Sequence, residues 1–131
     1  MVDTQKTSIL VLDDEMIVLK RIRPALEKSG YEVEIFSRSA DASERIKEKD
    51  FDIVITDLKM QGLDGMQFLT MVKERSPRTE VIVITGFATM ETAKESFRKG
   101  VFDFLAKPFK LGEIQEVVKK AEAKVLKSRS Q

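Results

Sequence analysis

Two adjacent acids, Asp13 and Asp14, a third acid at Asp57, a hydroxyl at Thr85 and an amine at Lys107 each follow a short apolar run of this chain. Three carboxylates brought together repel one another and hold their protons more tightly unless a cation joins them. A hard divalent cation such as Mg²⁺, or Mn²⁺, takes oxygen ligands and bridges to phosphate. A carboxylate is a competent nucleophile for forming an aspartyl phosphate. An ammonium supplies a point charge and a hydroxyl supplies a donor for phosphoryl oxygens. Such a set suits phosphoryl chemistry run by positioning and electrostatics, with no general base. A lone acid after a strand is more often a turn or N-cap residue, and Asp64 and Asp103 are read that way. What favours chemistry is the conjunction of acid pair, acid, hydroxyl and lysine at four successive strand ends.

The elements that must position these groups follow from hydrophobic patterning. Five runs read as strands: Ile9–Leu12, Glu32–Phe36, Asp52–Thr56, Val81–Ile84 and Phe102–Leu105. Three are nearly continuous in Ile, Val and Leu, as suits strands covered on both faces of a parallel sheet. The second alternates polar and apolar residues, which predicts an edge strand. Helical stripes lie between the runs: Val18, Ile22, Ala25 and Leu26; Ala42 and Ile46; Phe68, Leu69 and Val72; Ala93 and Phe97; and a last one from Leu111 to Val125. Gly30 and Gly100 stand where helix-ending glycines belong. Asp64 is expected to cap the third helix, and Ala88 or Thr89 to begin the fourth. Pro24 inside the first helix removes one backbone bond and predicts a kink.

Strict alternation of strand and helix implies right-handed crossovers and an α/β, flavodoxin-like, doubly wound parallel sheet of five strands in the order 2-1-3-4-5. Ligands of such sheets bind outside the carboxyl ends of the strands where the order reverses, here between strands 1 and 3. The expected organisation is an extension over 1–7, one domain over 8–126 and a polar tail or linker start over 127–131, fraying after Leu126.

Composition narrows the function. The chain of 131 residues has a net charge of +1, no cysteine and no histidine. Disulfides, thiolate or imidazole metal sites and Ser-His catalysis are therefore excluded. Near-neutrality gives no support to direct nucleic-acid binding or a membrane-surface role. No signal-peptide pattern and no apolar run of spanning length is present, so a cytoplasmic protein is expected.

The ordered motifs Leu12-Asp13-Asp14-Glu15, Asp57-Leu58-Lys59-Met60, Gly62-Leu63-Asp64-Gly65, Ile84-Thr85-Gly86 and Ala106-Lys107-Pro108-Phe109 resemble a response-regulator receiver domain of two-component systems. The segments around Thr85 and from Phe102 to Phe109 are similar to receivers joined to nitrogen-regulation-type AAA+ transcription activators. The resemblance implies that Asp57 accepts a phosphoryl group from the phosphohistidine of a histidine kinase. It implies that Asp14, Asp57 and the backbone carbonyl of Lys59 ligate Mg²⁺, with Asp13 acting through a bound water. It further implies that Thr85 and Lys107 hold phosphoryl oxygens, that Lys107-Pro108 is cis, and that Phe104 is the switch aromatic. Output to a downstream domain or protein target would pass through the fourth helix, fifth strand and fifth helix, and a homodimer could form on phosphorylation. Gln61 departs from the family, which usually has proline there. Lys59 and Phe87 would flank the phosphoryl group and slow its hydrolysis by their bulk.

A Mg²⁺-dependent aspartyl phosphatase is the first alternative, but the haloacid-dehalogenase pattern spaces its two acids by one residue and these are adjacent. A nucleotide or flavin domain lacks its glycine-rich loop here. A receiver-like scaffold that binds partners without phosphorylation would not need the complete acid, threonine and lysine set.

Overall fold

The computed structural model describes residues 6–58 and 65–129. Its elements alternate as expected: β1 (Ser8–Leu12), α1 (Met16–Lys28), β2 (Glu32–Phe36), α2 (Ser39–Glu48), β3 (Ile53–Thr56), α3 (Gly65–Arg75), β4 (Glu80–Thr85), α4 (Met90–Arg98), β5 (Asp103–Ala106) and α5 (Leu111–Arg129). The five strands are all parallel, in the order β2-β1-β3-β4-β5. The alternating strand β2 is at one edge, as its pattern predicts.

The continuous apolar runs are explained by two cores. Successive strand residues point to opposite faces. Ile9, Val11, Ile53, Ile55, Ile82 and Ile84 therefore face α1 and α5. Leu10, Leu12, Val54, Val81 and Val83 face Ala42 and Ile46 of α2 and Phe68, Leu69 and Val72 of α3. A polar residue in the middle of β1, β3 or β4 would be desolvated on either face. Polar groups are admitted where these strands end.

Helix boundaries follow local chemistry. Gly30 and Gly100 follow α1 and α4 with φ of +96° and +92°, a conformation glycine adopts without steric cost. Thr89 caps α4 in a reciprocal box: its hydroxyl accepts from the Thr92 N–H while the Thr92 hydroxyl accepts from the Thr89 N–H. Helix α1 passes through Pro24 without interruption.

Two expectations are corrected. Phe97 does not anchor α4: it is 49 % exposed, Ala93 is only half-buried, and the residue of α4 that is buried is Ser96. Its hydroxyl donates to the Thr92 carbonyl one turn back, which satisfies the buried polar group within the helix. Secondly, α5 does not fray after Leu126 but continues to Arg129, whose guanidinium pairs with Asp52 at the start of β3.

Further polar contacts hold α5 down. Glu122 accepts from the Thr7 hydroxyl at 2.9 Å and from the Tyr31 phenol at 3.0 Å, and Lys124 pairs with the buried Glu80 at 3.3 Å. Burial first, and the Glu122 contact second, push the Tyr31 phenol up to about 12. The folded state thus keeps a proton that the unfolded chain gives up near pH ~10. That stability is complete below pH ~10 and is lost as pH rises through the folded value. Tyr31→Phe should remove this alkaline loss between roughly pH 10 and 12. Denaturant titrations at several alkaline pH values check it, and an unchanged slope in the variant rejects it.

Candidate functional site

Each chemical residue leaves a strand in the same way. Asp13 is the first residue past β1, and its N–H donates to the Phe36 carbonyl of β2. Asp57 follows β3, with its N–H on the Leu12 carbonyl of β1. Lys107 follows β5, with its N–H on the Thr85 carbonyl of β4 at 2.8 Å. The sheet ladder therefore extends one residue into each loop. Backbone hydrogen bonds, with little freedom left, aim these side chains over the same edge.

There the three acids meet. One carboxylate oxygen from each of Asp13, Asp14 and Asp57 lies within 4.8 Å of the others. Lys107 enters between them, its Nζ 2.7 Å from Asp13 Oδ2 and 2.9 Å from Asp57 Oδ2. Asp13 and Asp57 are buried, whereas Asp14 is exposed. The site is thus closed at its floor and open to solvent at its mouth. Asp13 also accepts the Glu15 N–H at 2.8 Å, holding one backbone donor at the start of α1.

The electrostatics follow from burial opposed by pairing. Burial raises the Asp13 pKa above the ordinary carboxylate value, more than the Lys107 hydrogen bond and the Glu15 N–H lower it, and the neighbouring Asp57 adds to the rise. Burial also works against the Lys107 ammonium, but its bonds to Asp13 and Asp57 outweigh this and raise its pKa. Lys107 is therefore a firmly charged cation beside crowded carboxylates. The donor set is all oxygen, with no imidazole or thiolate, which fits a hard cation such as Mg²⁺.

The other expected residues are placed as follows. Thr85 ends β4, is fully buried, and its hydroxyl accepts the Phe87 N–H at 3.0 Å. Phe104 lies half-buried against the core shared with α2 and α3. Asp103, expected in a turn or cap, is instead the first residue of β5, where its carboxylate accepts the Phe104 N–H. Lys107-Pro108 is cis. The Lys59 carbonyl, Gln61 and the Asp64 cap lie outside the described residues.

Two residues quoted in the motifs without a role prove to matter. Glu15 Oε2 stands 3.6 Å from Lys107 Nζ, and its sequence signal is adjacency to the acid pair. Gly65 opens α3 against the phosphoacceptor candidate's own backbone. A Cβ there would fall 2.1 Å from the Asp57 carbonyl oxygen and 2.6 Å from Leu58 Cα. No side chain fits without moving backbone. Gly65→Ala should destabilise the fold by about 2–3 kcal/mol through overpacking and displace Asp57. Urea unfolding checks this, and a variant as stable as the parent contradicts the close approach.

Comparison with known proteins identifies the family and the fold. The profile of a family described as the response regulator receiver domain matches residues 9–119. The transcriptional regulatory protein ZraR of Salmonella typhimurium is 34 % identical over 118 residues, covering 90 % of this chain and 27 % of that protein. The DNA-binding transcriptional regulator NtrC of Escherichia coli K12 is 30 % identical over 117 residues, covering 89 % and 25 %. The chain thus spans about a quarter of the length of these curated relatives. Among solved structures, the beryllofluoride-activated NtrC4 receiver domain dimer superposes with a TM-score of 0.86 at 34 % identity, covering 91 % of this chain and 98 % of that one. A CheY-like receiver domain protein from Methanospirillum hungatei gives 0.87 at 26 % identity, covering 92 % and 97 %. Among the described residues no helix is long and apolar enough to cross a membrane.

Proposed function

This chain belongs to the response regulator receiver domain family, and from that premise we propose that Asp57 is its phosphoacceptor and that the aspartyl phosphate switches an output. The observation that carries the reading is Lys107 held between Asp13 and Asp57 inside a three-carboxylate cluster. An Asp57 oxygen would attack the phosphorus of a histidine kinase's phosphohistidine. The P–O bond forms as the P–N bond breaks, and imidazole leaves. Lys107, already paired with Asp57 Oδ2, is positioned to take a phosphoryl oxygen, and Thr85 would turn its hydroxyl from the Phe87 N–H toward another. Asp13, Asp14 and Asp57, with the Lys59 carbonyl, would hold Mg²⁺ or Mn²⁺. Bound there, the ion would offset the negative charge of the transferring group.

The output reading rests on how lightly α4 is held. Ser96 is its buried residue, while Met90 and Phe97 stand exposed. A helix with so little apolar anchorage shifts at low cost. Withdrawal of Thr85 toward a phosphoryl group would open space beside Gly86, and Phe104 is near enough in the register to follow, pairing with Val83 of β4. The face of α4, β5 and α5 would then present a changed surface to an output domain, a protein target or a second copy. The domain would signal, promoting its own phosphorylation and dephosphorylation without acting on a separate substrate. Intact mass after incubation with acetyl phosphate and Mg²⁺ tests the reading. One added phosphoryl group is expected, and none would sink it.

A further inference from the structure

The site as folded contains a cation that ought to hinder metal binding. Lys107 lies against Asp13 Oδ2 and Asp57 Oδ2, inside the same carboxylate cluster that a divalent ion would need. An ion drawn to those oxygens must share them with the ammonium or displace it. An ammonium pushed from two buried carboxylates loses strong charge-assisted bonds unless another acceptor is at hand.

Glu15 is that acceptor. Its carboxylate lies 3.6 Å from Lys107 Nζ, just beyond hydrogen-bond distance, and is 55 % exposed on the solvent side. Asp13 and Asp57, by contrast, are buried. The Glu15 backbone is fixed by its N–H bond to Asp13 Oδ1 and by accepting the N–H of Val18, so the side chain swings from a fixed stem. We propose that Glu15 is a positioning residue that receives the Lys107 ammonium when a divalent ion takes the Asp13 and Asp57 oxygens. This rests on the metal and phosphoacceptor reading above. Glu15 does not itself ligate. It raises metal affinity by giving the displaced ammonium a partner and by offsetting its repulsion of the incoming ion.

The contribution is bounded by exposure. A unit charge several ångströms away in a largely aqueous setting changes a binding constant by about threefold, and salt reduces this. Mg²⁺ titration of the unphosphorylated protein by calorimetry, with no phosphoryl donor present, reads it directly. Glu15→Gln should weaken the Mg²⁺ dissociation constant by about threefold at low salt, and Glu15→Asp should retain most of the affinity. Glu74→Gln, which removes an equal exposed charge near the far end of α3, should change nothing.

The decisive arm is coupling to the lysine. In a Lys107→Met background there is no ammonium to receive, so Glu15→Gln should have less effect than in the parent. An unchanged dissociation constant in Glu15→Gln overturns the inference, as does an effect of equal size with and without Lys107. Failure of the parent protein to bind Mg²⁺ at all would instead overturn the underlying metal reading.

Discussion

Replacing Asp57 with Asn is expected to abolish phosphoryl uptake while leaving the fold in place. An amide cannot act as the acyl-phosphate nucleophile, because its nitrogen lone pair is delocalised and its oxygen carries no full charge. The change is nearly isosteric, and the amide oxygen can still accept from Lys107 Nζ, which lies 2.9 Å from the present carboxylate. The Asp57 N–H continues to bond the Leu12 carbonyl, so the loop keeps its place. With acetyl phosphate and Mg²⁺, intact mass should show one phosphoryl on the parent and none on Asp57→Asn. Asp13→Asn, which removes a neighbouring charge but keeps the nucleophile, should remain labelled, though more slowly. Equal labelling of parent and Asp57→Asn would move the acceptor elsewhere and remove the basis of the functional reading.

The second large effect concerns Lys107. Removing its ammonium leaves Asp13, whose side chain has no exposure, facing Asp57 without a compensating charge. Breaking a buried pair from one side costs about 3–5 kcal/mol. The mouth of this site reaches solvent at Asp14, so Lys107→Met should lose roughly 2–3 kcal/mol in metal-free buffer. Mg²⁺ should restore more stability to the variant than to the parent, since the ion can stand where the ammonium stood. Phosphorylation should fall as well, because a neutral methyl group cannot offset phosphoryl charge. Urea unfolding with and without Mg²⁺ separates the two effects. Equal stability of parent and variant without metal would mean that the ion pair has no net role in holding the site.

Most of the architecture could be read from the chain because its signals are redundant. Val, Ile and Leu runs set the central strands, Glu32 and Glu34 mark the edge, and Gly30 and Gly100 punctuate two helices. The site was legible for the same reason: only strand ends can carry polar groups in a sheet covered on both sides. What stayed hidden depends on distance in space. Phe97 has the spacing of a core residue, yet the surface of α4 turns it outward and buries Ser96. Patterning favours large apolar groups and does not register that the covered face of this helix carries a serine. Gly65 carried no assigned role in the sequence, and its approach to the Asp57 carbonyl is visible only in space. Glu15 has no periodicity to betray it, and its proximity to Lys107 joins residues far apart in the chain. The end of α5 reads as polar and loose, and its pairing with Asp52 joins residues too far apart in the chain for patterning to register.

The contacts of α5 carry a mechanical consequence. Glu122, Lys124 and Arg129 rivet this helix to Thr7, Tyr31, Glu80 and Asp52, at the rim where the strands begin. Asp57 lies at the opposite rim, where they end. Polypeptide joined after Arg129 would therefore take its heading from a fastening remote from the chemistry.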